Sequence, residues 1–561
     1  MRRNDFHEGN EKPCDRLQNR NVRSEKKRAD RRTALAVCIV LDWGMTARAQ
    51  QGPPQVPPPP VPPQNPITEP KRVLGKILFW EEQLSSDNTV ACGTCHRPFR
   101  AGADPRPAVH PGPDQNFGTP DDVFGSLGIA RQDANGTPIA DPIFGFETQV
   151  TPRSAQNMFG ALWAPTVFWD GRAGPAFVNP QTGTTVIPNG GALEAQSVVP
   201  ILADNEMAHQ GRSWNEVISK LQNAAPLDFA TYLPPDVESA IAANPTYSAL
   251  FNSAFGDPAI SAQRIAFAIA TYERTLVVNQ TPFDLQILTP QQQQGLNVFQ
   301  NPASRCSVCH APPLFTDNTF RNIGVRPIAE DTGRQAVTGN PVDAGRFKVP
   351  SLRNVGLKAT FMHNGRRSTL AQVVDFYLGI NGQVQFPQNQ DPLIAGIAIP
   401  PQARPDLIEF LRNGLTDPRV VSESPPFDRP ILSSELGDSD RDGDVDLADR
   451  AMFETCFTGT NAGPVDPGCE RLDMDGDGDV SCDDWPLFTQ VWTDAQPPTE
   501  LAACVALGNV PSVSDWGLVT MFLVLLTAGT LVLRLATDTC SDRSIAFYRP
   551  NRRRNPAKAI G

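Results

Sequence analysis

Two five-residue stretches place thiols and an imidazole at fixed spacing: Cys92-Gly93-Thr94-Cys95-His96 and Cys306-Ser307-Val308-Cys309-His310. Each reads C-x-x-C-H, the attachment pattern of a c-type haem. Two thiols three positions apart can each form a thioether to one porphyrin vinyl group. The adjacent histidine is then held under the iron as its proximal ligand. A zinc site would need four ligands closed around one metal, and a redox dithiol does not need the histidine. With 11 Cys and 6 His in 561 residues, two accidental copies are negligible. The pattern predicts two covalent haems, with His96 and His310 on the irons. A second set of residues suits a hard cation. Asp438, Asp440, Asp442 and Asp449 fall at positions 1, 3, 5 and 12 of a loop with Gly443 at 6 and Asp444 after it. Asp473, Asp475, Asp477, Asp479 and Asp484 repeat the register 35 residues later. Alternating oxygen ligands around a glycine turn describe an EF-hand-like calcium loop; the alternative is a solvated acidic loop.

The elements that position these groups read as mainly α. Ser261 can cap a helix that presents Ile265, Ile269, Tyr272 and Leu276 on one face. Thr369 and Gln372 form a capping box ahead of a stripe of Leu370, Val373, Val374, Tyr377 and Leu378. Strand signals are sparse and Pro/Gly-rich loops abundant, which fits two cytochrome c-like domains in which haem supplies much of the core. The reading places a first haem domain at 70–282 and a second at 283–430, with the seam at Pro282-Phe283-Asp284. A helical calcium module follows at 431–495. One disulfide is expected among Cys456, Cys469 and Cys482, with the pairing not readable.

Both ends carry targeting signals. Lys26-Lys27-Arg28 and Arg31-Arg32 precede a short apolar run from Ala34 to Leu41 and an A-x-A-like site at Ala47-Arg48-Ala49, so residues 1–49 read as a signal peptide. The alternative is a basic tail. Residues 50–69 read as a proline-rich, semi-rigid spacer. At the other end (510–561), Trp516 to Leu533 is an 18-residue apolar run followed by Arg534, Arg543, Arg549 and Arg552-Arg553-Arg554. That is just long enough to span a bilayer, with the basic side inward. The formal charge of -12 argues against nucleic acid as a partner.

The stretch from about Leu74 to Pro418 resembles the bacterial di-haem cytochrome c peroxidases and their MauG-type relatives. The resemblance rests on Leu74-Gly75-Lys76-Ile77-Leu78-Phe79, Phe168-Trp169-Asp170-Gly171-Arg172, Phe347-Lys348-Val349-Pro350-Ser351-Leu352-Arg353-Asn354-Val355 and Phe361-Met362-His363-Asn364-Gly365. It implies a first haem that reacts with hydrogen peroxide and a second that accepts electrons from a small c-type cytochrome or cupredoxin. It assigns Glu206 as distal acid/base, Gln196 as its hydrogen-bonding companion and Trp169 as the inter-haem relay. Without the family, Glu206 reads as a surface carboxylate and Trp169 as core packing. His110, in a loop, is either a resting ligand of the first haem or a solvated histidine.

Ordinary peroxidases of this family carry a methionine 14 residues beyond the histidine matching His363; here that position is Tyr377, as in MauG-type enzymes. Tyr377 as ligand of the second haem, Tyr377 as a core residue and Met362 as ligand all stay open. In many relatives a calcium ion bridges the domains through backbone carbonyls, and Lys358 and Thr360 stand at those positions here. Asp449 and Asp484, rather than glutamate, close the acidic loops, which resembles dockerin modules and implies a cohesin-like partner; a calcium-stiffened spacer is equally economical. Val510-Pro511-Ser512-Val513-Ser514-Asp515-Trp516-Gly517 resembles bacterial C-terminal surface-sorting tags. Three functions follow: an exported, anchored di-haem peroxidase; a MauG-like oxidase removing electrons from a protein or organic substrate at long range; or a non-catalytic di-haem electron-transfer protein.

Overall fold

Each haem motif follows a helix crossing that a glycine makes close. In the computed structural model the described residues are 55–507, apart from 107, 120, 443, 461–464, 494–497 and 499–500. The export signal and the C-terminal anchor expected above lie outside them, as does Gly443. The helix Glu69–Phe79 buries Val73, Leu74, Ile77 and Leu78 along one stripe. It packs on the helix Ala262–Glu273, capped by Ser261, whose Oγ accepts from the Arg264 N–H. At the crossing, a Cβ on Gly75 would lie 1.9 Å from the Ala268 carbonyl oxygen. The second half repeats the construction. The helix Pro290–Gln300 meets the helix Arg404–Glu409 where a Cβ on Gly295 would lie 2.0 Å from the Asp406 carbonyl oxygen. Short helical turns then carry the motifs, Cys92–Cys95 and Cys306–Cys309.

Two hydrophobic cores underlie the two motifs, Cys92 packing against the first and Cys306 against the second, and Val420, Phe427 and Leu432 return to the first. Ile77, Phe79, Trp80, Ile265, Ile269 and Tyr272 belong to the first, and Phe283, Phe299, Phe315, Phe410 and Leu411 to the second. Strand content among the described residues is confined to short antiparallel two-stranded ladders. Two of them, Ala108–His110 with Val123–Gly125 and Leu127–Ala130 with Thr148–Val150, organise the long insertion after the first haem motif. A third core of Val445, Phe453, Leu472, Val480, Trp485 and Phe488 lies within the acidic-loop region. Two disulfides brace it, Cys456–Cys469 and Cys482–Cys504. The single bridge expected from the sequence is therefore two, because Cys504 on the helix Ala502–Leu507 reaches back to Cys482.

The proline-rich stretch is not a free spacer along its described length. Asn65 is fully buried and donates to Glu194 Oε1 (2.8 Å) and to the Phe267 carbonyl (3.0 Å). Trp163 and Arg274 donate to the carbonyls of Pro57 and Pro60. Extended proline backbone leaves its carbonyls open, and here those carbonyls find donors on the first half. Among the described residues no helix is long and apolar enough to cross a membrane.

Candidate functional site

Cys92, Cys95 and His96 open onto a cavity in the first half that is also lined by Phe79, Gln196, Glu206, Met207 and Glu273. His96 Nδ1 lies 2.9 Å from the Gly102 carbonyl oxygen, which fixes the proton on Nδ1 and leaves Nε2 as a donor for a metal. Burial pushes the His96 pKa down, keeping the ring neutral, as ligation requires. Gln196 comes from the short helix Ala192–Ser197 and Glu206 from the loop after it, so both sequence-assigned distal residues face the cavity that holds His96. Burial raises the Glu206 pKa, and the Arg172 guanidinium only partly offsets it. Glu273, which sequence reasoning passed over, has Oε2 buried without a hydrogen-bond partner and its pKa raised to about 8 by burial. Its signal was a charged residue on the otherwise buried face of the 262–273 helix.

His110 does not line this cavity. It sits buried in the Ala108–His110 strand, its Nδ1 accepting from the Gly112 N–H (3.0 Å) and its ring edge-on to Phe144 at 4.8 Å. The insertion is a packed hairpin rather than a loose loop, so the resting-ligand alternative finds no support in this conformation and the solvated-histidine alternative is also corrected.

The second cavity is lined by Cys306, Cys309, His310, Tyr377, Met362 and His363. His310 Nδ1 lies 3.1 Å from the carbonyl oxygens of both Phe315 and Pro350, again leaving Nε2 for a metal. Tyr377 projects from the helix Leu370–Leu378, and burial raises its phenol pKa, so without a metal the hydroxyl stays protonated. Lys348, Lys358, Arg321 and Arg326 line the same cavity. Burial pulls both lysines down to about 8. His363 is stacked on Phe347 at 3.6 Å between ring centroids, with its Nε2 buried and lacking a partner.

Trp169 lines both cavities. Its indole N–H donates to the Ser154 carbonyl (2.9 Å), and the Ser154 N–H donates to the His363 carbonyl (3.0 Å). The Lys348 N–H donates to the Trp169 carbonyl at 2.7 Å. Arg153 ties the halves together, pairing with Asp170 at 2.6 Å and Asp331 at 2.8 Å. Trp169 thus hydrogen-bonds residues of both halves and borders both cavities.

These residues fit two haems. Paired unbridged cysteines beside a metal-ready histidine occur in each cavity. In the second, Arg321 and Arg326 pair with Asp317, Asp391 and Asp331 while their Nε atoms are buried without a hydrogen-bond partner. Residues 69–292 match the family model described as di-haem cytochrome c peroxidase. The methylamine utilization protein MauG of Methylophilus methylotrophus is 30% identical over 327 residues, covering 57% of this chain and 75% of that protein. The chain belongs to the di-haem cytochrome c peroxidase family. It is accordingly an oxidoreductase of peroxidase type with two c-type haems. MauG of Methylorubrum extorquens is 28% identical, covering 65% of this chain and 83% of that one. Cytochrome c peroxidase Ccp of Escherichia coli K12 is 27% identical, covering 60% of this chain and 59% of that one. A solved MauG-like protein associated with microbial copper homeostasis aligns with a TM-score of 0.46 at 25% identity, covering 67% of this chain and 97% of that one.

Beyond the haem cavities, this di-haem peroxidase brings its acidic loops into compact clusters. Asp438, Asp440 and Asp449 converge in the first, and Asp473, Asp475 and Asp484 in the second. Asp444 shares a further cluster with Asp446 and Asp449. The carboxylates at position 12 accept backbone N–H groups across their loops, Asp449 from Ser439 (2.7 Å) and Asp484 from Met474 (2.6 Å). Asp442 and Asp477 instead accept from the N–H groups two residues on, Asp444 and Asp479.

Proposed function

We propose that this protein is an exported di-haem peroxidase that reduces hydrogen peroxide at the first haem with electrons entering through the second. The single observation that carries the reading is Glu206 and Gln196 facing the cavity of His96, with Trp169 shared between that cavity and the second. Bound haem, held by Cys92, Cys95 and His96 in the first cavity and by Cys306, Cys309 and His310 in the second, would supply electron exchange at each site. Glu206 accepts a proton from one peroxide oxygen and returns it to the other, which leaves as water. The Gln196 carboxamide orients the peroxide by hydrogen bonding, and Arg172 keeps the Glu206 anion accessible. The balance is H₂O₂ + 2 H⁺ + 2 e⁻ → 2 H₂O. The electrons come from a small c-type cytochrome or cupredoxin and cross at Trp169.

Tyr377 in the second cavity and the MauG relatives favour a second reading, an oxidase that withdraws electrons from a protein or organic substrate. Were Tyr377 to hold the second haem's iron, its anionic oxygen would stabilise oxidised iron and make that haem a weaker electron store. The acidic loops bind calcium as a dockerin-like module open to a cohesin-like partner, and the tail anchors the enzyme at the cell surface or in the periplasmic membrane. The halves correspond to haem domains at 70–282 and 283–430. The test is peroxide-dependent oxidation of a reduced small cytochrome by the full-length holoprotein. Glu206→Gln should lower kcat/KM for peroxide by about 10²–10⁴. A parent protein that leaves peroxide untouched contradicts both readings, and one that reacts with peroxide but not with the cytochrome favours the second.

A further inference from the structure

The loop that orients the first proximal histidine is gripped by side chains from far along the chain. Residues 97–103 close on themselves, with the Gly102 N–H donating to the Arg97 carbonyl (2.7 Å) and the Arg97 N–H to the Ala103 carbonyl (3.2 Å). The Gly102 carbonyl is the acceptor that holds His96 Nδ1. The Arg97 side chain does not face the haem cavity; it is buried and pairs with Glu435. Glu435, itself buried, also takes Arg429 at 2.6 Å and Arg471 at 3.2 Å. Arg97 and Arg429 both lie over the Trp80 indole, and on that ring Gly93 of the haem motif packs so tightly that a Cβ would come within 2.2 Å. Further along the loop, the guanidinium groups of Arg100 and Arg441 lie 5.3 and 5.4 Å from the Phe99 ring, and Arg100 donates to the Arg441 carbonyl at 2.9 Å.

We propose that Glu435 is a positioning residue for the first haem: by holding Arg97 it sets the loop whose Gly102 carbonyl orients His96. Three guanidinium groups converge on this one carboxylate. Removing its charge leaves buried cations uncompensated and frees the loop to shift. The hydrogen bond to a ligating imidazole governs its orientation and basicity, so a displaced Gly102 carbonyl makes His96 a weaker donor to iron. Loss of a nearby negative charge acts in the same direction. The segment leading into the acidic loops thus completes the proximal side of a haem bound more than 300 residues earlier.

The experiment uses full-length holoprotein and reads the reduction potential and ferric EPR signal of each haem. Glu435→Gln should raise the first haem's potential and alter its EPR signal while leaving the second haem's unchanged, and Glu435→Asp should restore most of the parent behaviour. Ser433→Ala serves as the control, because the Ser433 hydroxyl donates to Glu82 (2.8 Å) rather than to residues 97–103. A first-haem potential that is unmoved in Glu435→Gln, or moved as much in Ser433→Ala, overturns the proposal. If Glu435→Gln does not fold, Arg97→Lys keeps the charge but breaks the guanidinium pairing with Glu435. It should alter the first haem's EPR signal and leave the second's unchanged, and an unaltered first-haem signal would equally overturn the proposal.

Discussion

At the scale of single residues, Glu206 decides how the first cavity behaves with pH. Burial lifts its pKa above the usual carboxylate range. Its basic form, the one that accepts the peroxide proton, is therefore present only above that raised value and is lost as pH falls through it. Peroxide reduction should show an acidic limb above the ordinary glutamate value of 4.5, and Glu206→Gln should abolish that limb along with most of the rate. A pH–rate profile measured from pH 4 to 8 checks both. Trp169 was marked by its five-residue motif, whereas Gln196 and Glu206 came only from the resemblance; all three line the first cavity. Glu273 and His363 were not singled out for a role: a carboxyl next to Arg274 reads as a surface ion pair, and a histidine in a Gly-rich turn reads as a loop residue. Only the fold aims Glu273 Oε2 and His363 Nε2 inward without partners.

At the scale of elements, the two halves depend on the same device, a glycine where helices touch. Gly295→Ala would put a methyl group 2.0 Å from the Asp406 carbonyl. Overpacking of this kind costs about 1–3 kcal/mol, against at most about 1 kcal/mol gained in helix propensity. Net destabilisation in urea melts, together with weaker packing around the second haem motif, is the expected outcome. The 262–273 and 370–378 helices were readable from capping residues and apolar stripes. The hairpins of the insertion were not, because strands of three or four residues carry too little alternation to register. His110 illustrates the consequence: its ring packs on Phe144 from a ladder that composition alone presents as a polar loop.

Across the whole molecule, the acidic-loop region is bound to the first half. Tyr232 donates to Asp473 of the second loop at 2.6 Å, Arg100 to the Arg441 carbonyl of the first, and Glu82 accepts from Ser433. The duplicated aspartate register was plain in the sequence; its docking was not, because contacts between residues hundreds apart leave no periodic trace. If the loops bind calcium, chelation should lower the thermal transition of the intact protein, and calcium should restore it. Calorimetry with and without chelator measures this, and coincident traces would remove calcium from the account.

We propose that the two haem sites are chemically unequal, Glu206 and Gln196 facing the first cavity and Tyr377 standing in the second as the candidate ligand. EPR of the ferric full-length holoprotein tests it most directly. The account predicts one high-spin signal that cyanide converts and one low-spin signal that cyanide leaves alone. Tyr377→Met should change only the low-spin signal and raise that haem's potential, since a thioether favours reduced iron more than a phenolate does. Two equivalent signals, or a low-spin signal indifferent to Tyr377→Met, would contradict it.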